Sequence, residues 1–140
     1  MVRDSQGPSR AGRIAALDPL HLIDASRAGV KPQLAEQIQK ESPFSQQEWS
    51  EILGLTPRTL QRYQREHRSL DVSASERILL VAKILEQGRV LFRDAEAFER
   101  WLRRPSIPLG GKEPRAILDT VSGIQLVSDE LTRIGYGVLA

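Results

Sequence analysis

The chain contains no cysteine, so it has neither a disulfide nor a Cys-ligated zinc site, and a reducing compartment is the expectation. Its two histidines, His21 and His67, lie too far apart in the sequence to propose a metal site. Aromatic residues are sparse at 5%, although apolar residues at 40% suffice for a core. No apolar run reaches the roughly 18 residues that mark a membrane-spanning helix. The opening "MVRDSQGPSRAGR" lacks the uninterrupted apolar stretch of a secretory signal. A formal charge of +2 is too small to announce nucleic acid, so any basic surface must be concentrated locally. No stretch alternates with period two and no internal repeat is present. The 140 residues therefore read as an all-α protein, with room for one compact domain or two small helical subdomains sharing a core.

Residues 1–17 read as a disordered arm, because the first thirteen hold Gly, Pro, Ser and Arg with almost nothing apolar. Helical spacing begins at Asp18, with Leu20, Ile23 and Ala28, and stops at Gly29. A second short helix spans about residues 31–40, with Leu34, Ala35 and Ile38 inward. "SQQEW" predicts a capping box between Ser45 and Glu48, and "SASE" predicts another between Ser73 and Glu76. The helix after Ser73 carries Ile78, Leu79, Ala82 and Leu85, and Gly88 ends or weakens it. Asp94 caps "AEAFERWLRR", whose apolar face is Phe98, Trp101 and Leu102. After the Pro- and Gly-rich break "SIPLGGKEP", Pro114 begins a helix through about Thr120. Gly123 separates it from a last helix bearing Ile124, Val127, Leu131 and Ile134.

The most informative stretch is "QQEWSEILGLTPRTLQRYQR". Trp49, Ile52 and Leu53 make one apolar face, and Ser50 is small where two helices must cross closely. Gly54 supplies positive φ between them, Thr56 caps the second helix, and Pro57 sits in its first turn. Leu60 and Tyr63 point to the core. The opposite face offers Arg58, Thr59, Gln61, Arg62 and Arg65. Across residues 56–68 four arginines stand against one acid, Glu66. Such a face suits the major groove, since Arg pairs bidentately with guanine, Gln with adenine, and Thr with phosphate or a thymine methyl. The plainer reading is a helical hairpin with a solvated basic face. The placement of small, Gly and apolar residues resembles the helix-turn-helix of phage-repressor-like proteins.

Nothing else carries chemistry. The acid pairs Asp94/Glu96 and Asp129/Glu130 are most simply solvated faces, and "LGG" at residues 109–111 lacks the preceding strand of a phosphate loop. For His21 and His67 an ordinary helical or surface role is the simpler reading. The chain does not read as an enzyme: no catalytic residue, metal ligand or cofactor site is assigned.

The pattern of the whole then points to a family. After "LGLTPRTLQRYQ" come a long helix and Trp101–Leu102, "LGG" followed by Pro114, "ILDT" with Gly123, and "L-x-R-I-x-Y-G-V" from Leu131 to Val138. Over residues 18–140 this resembles the Xre/MbcA/ParS antitoxins, particularly the Xre partner of RES-domain toxins. The resemblance implies a bacterial cytoplasmic antitoxin. Residues 18–70 would bind operator DNA through Thr56, Arg58, Thr59, Gln61, Arg62 and Arg65, and residues 71–140 would bind the toxin. It implies an NAD⁺-depleting toxin whose pocket the antitoxin blocks, and a homodimer within a hetero-oligomeric complex. Carried onto this chain, the blocking element is Gly135, Tyr136, Gly137, Val138, Leu139 and Ala140, led in by Arg133 and Ile134. The two glycines would allow a narrow approach into a concave site, and the Ala140 carboxylate could pair with a toxin arginine. Gly135 departs from the acid common at its position, which puts a toxin contact through that acid in doubt. The rivals are a stand-alone transcriptional regulator and an antitoxin of a non-RES toxin.

Overall fold

The computed structural model describes residues 10–139, which form eight α-helices: α1 (Arg10–Ala15), α2 (Pro19–Ala28), α3 (Pro32–Glu41), α4 (Gln46–Leu53), α5 (Pro57–Arg65), α6 (Val72–Phe92), α7 (Ala95–Leu102) and α8 (Val121–Leu139). The fold is all-α, as expected. Among the described residues the only β-type pairing is an isolated bridge, Ser106 to Lys112, which closes the loop between α7 and the 3-10 turn Pro114–Ile117.

Helix α6 organises the molecule. Ala74, Ser75, Ile78, Leu79, Val81, Ala82, Ile84, Leu85 and Gly88 are buried, so the helix is apolar around most of its circumference. Such a helix must be surrounded, and α1, α2, α4, α7 and α8 all pack on it. Its start differs from the expected box at Ser73. Asp71 is the N-cap and accepts from the Ala74 N–H at 2.8 Å, while Ser73 Oγ accepts from Arg77 Nη1. An Asp two residues upstream outcompetes the serine because the helix already begins at Val72. Nor does Gly88 end the helix. It lets the Phe98 ring lie on the backbone, where a Cβ would come within 2.1 Å of that ring. Phe92, Phe98 and Trp101 then form a three-ring cluster, with centroids 5.5, 6.3 and 6.0 Å apart for Phe92–Phe98, Phe98–Trp101 and Phe92–Trp101. The helix stops at Arg93, in the left-handed conformation, and Asp94 caps α7 through the Glu96 N–H.

Three further expectations are corrected. Residues 10–15 of the expected arm form α1, because Ile14 finds a buried position against α6; residues 1–9 of that arm lie outside the described residues. In α2 the inward face is Leu22, Ala25 and Ser26, whereas Leu20 and Ile23 face solvent. The helix expected from Pro114 to Thr120 is a single 3-10 turn. Thr120 instead caps α8 through the Gly123 N–H at 3.0 Å. Gly123 lies inside α8, not before it, pressed so closely on the Ile117 carbonyl that a Cβ would sit 1.7 Å from its oxygen.

Candidate functional site

Helices α4 and α5 form the expected helix-turn-helix. The Ser45–Glu48 capping box is complete: the Glu48 N–H donates to Ser45 Oγ at 3.1 Å, and the Ser45 N–H donates to Glu48 Oε1 at 2.9 Å. Gly54 takes φ 72°, and Thr56 Oγ1 accepts from the Thr59 N–H at 3.1 Å to start α5, with Pro57 in the first turn. Trp49, Ser50, Ile52, Leu53 and Leu60 are buried, and Tyr63 is half-buried. Trp49 donates its Nε1–H to Ser42 Oγ at 2.8 Å and meets Phe44 edge-on.

Of the residues assigned to DNA, Thr56, Arg58, Gln61, Arg62 and Arg65 are exposed. The last four share one side of α5, opposite Leu60. Thr59 is half-buried, and its hydroxyl accepts from Thr56 Oγ1 at 2.9 Å, which draws it toward the cap and away from the outward row. Gln64 faces the protein and donates to Gln39 Oε1 of α3 at 3.4 Å. None of Arg58, Arg62 or Arg65 pairs with a carboxylate among the described residues. These side chains form an exposed cationic row that can hydrogen-bond base edges and phosphate oxygens.

Two arginines from outside the motif hold α4 at its ends, and sequence reasoning missed both. From α6, Arg77 Nε donates to the Ile52 carbonyl and Nη2 to the Leu53 carbonyl, each at 2.7 Å, satisfying carbonyls that a helix end leaves without partners. Gly54 gives room here, since a Cβ would stand 2.9 Å from Arg77 Nη2. Arg103, just past the end of α7, grips Glu48 with Nη1 to Oε2 at 2.7 Å and Nη2 to Oε1 at 2.9 Å, and also donates to the Pro43 carbonyl. Arg115 adds Nη1 to Oε2 at 3.2 Å. The Arg103 hydrogen bonds, outweighing the opposing desolvation and joined by the Ser45 N–H and both arginine charges, hold the Glu48 carboxyl at about 2.

At the other end of the molecule, α6 and α8 run side by side. Gln87 clasps them, donating to the Ser128 carbonyl at 3.1 Å and Thr132 Oγ1 at 3.0 Å and accepting from Ser128 Oγ at 3.1 Å. Beyond this clasp lies a groove of about 600 Å³, its apolar lining drawn from Val90, Leu91, Leu131 and Tyr136. Val90 is 57% exposed and Tyr136 72% exposed. Arg133 is held in an ion pair with Glu130, Nε to Oε1 at 2.9 Å, and Ile134 is half-buried. The two glycines expected to permit a sharp, narrow approach do not break the helix. Gly135 and Gly137 lie within α8, because i→i−4 hydrogen bonding continues past them to Leu139. The side chains of Val138 and Leu139, and all of Ala140, lie outside the described residues.

The structure defines an all-helical protein that joins a helix-turn-helix to a second helical module, and comparison with known proteins assigns both halves to antitoxins of toxin–antitoxin systems. Residues 21–83 match the Antitoxin Xre-like helix-turn-helix domain, and residues 87–137 match the Antitoxin Xre/MbcA/ParS C-terminal toxin-binding domain. The chain belongs to the Xre/MbcA/ParS antitoxins. It is similar to Antitoxin Xre of Photorhabdus laumondii subsp. laumondii, with 26% identity over 121 residues covering 86% of this chain and 82% of that protein. It is also similar to the Prs ADP-ribosylating antitoxin of Sphingobium sp., with 33% identity over 99 residues covering 64% of this chain and 62% of that protein. A cognate toxin is therefore its partner. Among the described residues no helix is long and apolar enough to cross a membrane.

Proposed function

We propose that this antitoxin neutralises a RES-domain, NAD⁺-depleting toxin by covering the toxin's active-site pocket with the end of α8, and represses its own operon through α5. The observation that carries the first half is Tyr136. It projects from the last turns of the toxin-binding domain, 72% exposed, beside an apolar groove. A free monomer gains nothing from presenting a tyrosine and Val90 to water, whereas a partner surface that buries them gains roughly 1.5–3 kcal/mol per large apolar side chain before ordering costs. The blocking element is then a helical plug: Arg133 and Ile134 at its base, Tyr136 on its exposed side, and residues 137–139 in its last turn.

The second half rests on the unpaired row Arg58, Gln61, Arg62 and Arg65, with Thr56 at the cap and Thr59 beside it. We assign the operator contact to residues 18–70 and the toxin contact to residues 71–140, with α6 as the core helix both share. The assembly is a homodimer carrying toxin in the bacterial cytoplasm. The chain acts as an inhibitor and regulator, without an active site of its own.

Co-purification with the protein encoded beside its gene, followed by an NAD⁺-turnover assay, tests this. A RES-domain neighbour silenced by stoichiometric antitoxin is expected. A neighbour of another fold would remove the RES assignment while leaving the antitoxin class intact. The Sphingobium relative is named for ADP-ribosylation, so transfer of ADP-ribose to a target is assayed beside NAD⁺ turnover.

A further inference from the structure

The junction between α2 and α3 is locked to the segment that follows α5. The Leu70 N–H donates to the Val30 carbonyl at 3.0 Å, and a Cβ on Gly29 would stand 2.9 Å from the Leu70 oxygen. Ser75 Oγ accepts from the Val30 N–H at 2.8 Å and donates to the Leu70 carbonyl at 3.2 Å. Lys31 follows this junction on one chain segment, and Arg68 precedes it on the other.

Both side chains are exposed, and neither pairs with a carboxylate among the described residues. Arg27, in the last turn of α2, shares both properties. Arg68 is nevertheless held in place. Its guanidinium lies 4.5 Å over the Tyr63 ring, and its N–H donates to the Tyr63 carbonyl at 2.9 Å after His67 turns the chain at φ 53°. Stacking on an aromatic face leaves the guanidinium edge, with its fork of N–H donors, free for an anion. Of the neighbouring acids, Asp71 caps α6, while Asp24 and Glu66 are exposed. By contrast Arg89, Arg103, Arg115 and Arg133 each pair with a carboxylate.

We propose that Lys31 and Arg68 form a phosphate-binding step beside α5, taking the DNA backbone that borders the groove in which α5 lies, with Arg27 adding to the local field. The inference rests on the reading of α5 as the groove-binding helix. Groove contacts alone leave register loose, and backbone contacts from elements flanking the recognition helix fix it without reading sequence. A pre-oriented guanidinium and a lysine on two rigidly joined segments meet that need.

The test uses the full chain, a duplex spanning the region upstream of its own gene, and a shuffled duplex of equal length, titrated over a salt series. Lys31→Ala with Arg68→Ala should weaken binding to both duplexes by the same factor. The slope of log affinity against log salt should become shallower by about 1.8, or roughly 0.9 for each phosphate no longer neutralised. Arg68→Lys, which keeps the charge, should retain the wild-type slope. Lys31→Gln with Arg68→Gln, measured in parallel, guards against a folding effect and should match the alanine pair. Wild-type affinity and slope in both pairs, with Arg58→Ala, Arg62→Ala and Arg65→Ala still disabling binding, would overturn this inference and leave the reading of α5 standing. Wild-type binding in every variant would sink both. Loss of toxin affinity with DNA binding untouched would overturn it in favour of an acidic protein surface as the partner.

Discussion

Arg103, at the end of α7, and Glu48 of α4 meet in a two-pronged ion pair, at 2.7 and 2.9 Å, across 55 residues of sequence. The carboxylate is thereby filled: Oε1 takes the Ser45 N–H and Arg103, and Oε2 takes Arg103 and Arg115. The residue that closes the capping box of the first helix of the helix-turn-helix is thus held by two side chains from the toxin-binding half. The first helix of the helix-turn-helix is thereby tied to residues 103 and 115 of the C-terminal domain.

Because Glu48 has its carboxyl at about 2 against an ordinary 4.5, the unfolded chain binds the proton more readily between those values. Stability from this group is full above about pH 4.5 and is lost as pH falls toward 2. At 1.36 kcal/mol per unit, a carboxyl moved from 4.5 to about 2 corresponds to about 3 kcal/mol or somewhat more, reduced toward roughly 2 by solvent screening because Arg103 is one-third exposed. Glu48→Gln should therefore lower the melting temperature at pH 7 and flatten the loss of stability between pH 4.5 and 2.5. Parallel acid limbs for wild type and variant would remove the group from this role.

Gly88→Ala should destabilise, although alanine is the better helix former by roughly 1 kcal/mol. Its Cβ would stand 2.1–2.4 Å from three atoms of the Phe98 ring, which itself packs against both Phe92 and Trp101. Overpacking of this kind costs about 1–3 kcal/mol. Chemical denaturation of the variant measures the sign, and a stabilised Gly88→Ala would mean the aromatic stack yields freely.

The helix-turn-helix was legible because each step has a local signature: a capping box at Ser45, a positive φ at Gly54, and Thr-Pro opening α5. The arginine row was legible from composition, since four like charges within residues 56–68 have few inward positions to occupy. What escaped was tertiary. Nothing in the spacing of Glu48, Arg77, Arg103 and Arg115 says that they meet. The C-terminal glycines misled because glycine permits a hinge without requiring one. Gly123 answers a close approach of the Ile117 carbonyl, while Gly135 and Gly137 continue the helix. Ser73 does not take its expected role because the helix starts earlier, at Val72, with Asp71 as its cap.

Arg58→Ala, Arg62→Ala and Arg65→Ala together should weaken binding to the chain's own operator and lower the salt slope by roughly 0.9 for each phosphate no longer neutralised. Toxin neutralisation should be untouched, because the three side chains lie on α5, far in sequence from the groove between α6 and α8. Unaltered operator affinity in this variant would take α5 out of the DNA interface.

The most direct test of the account is removal of residues 136–140. Tyr136 is exposed and residues 136–139 form the last turn of α8, so the free antitoxin should melt within a few degrees of wild type. The same truncation should cost at least tenfold in toxin affinity, roughly 1.4 kcal/mol or more, and the toxin in the complex should regain NAD⁺ turnover. A truncated protein that melts far lower yet still silences the toxin completely would contradict the plug.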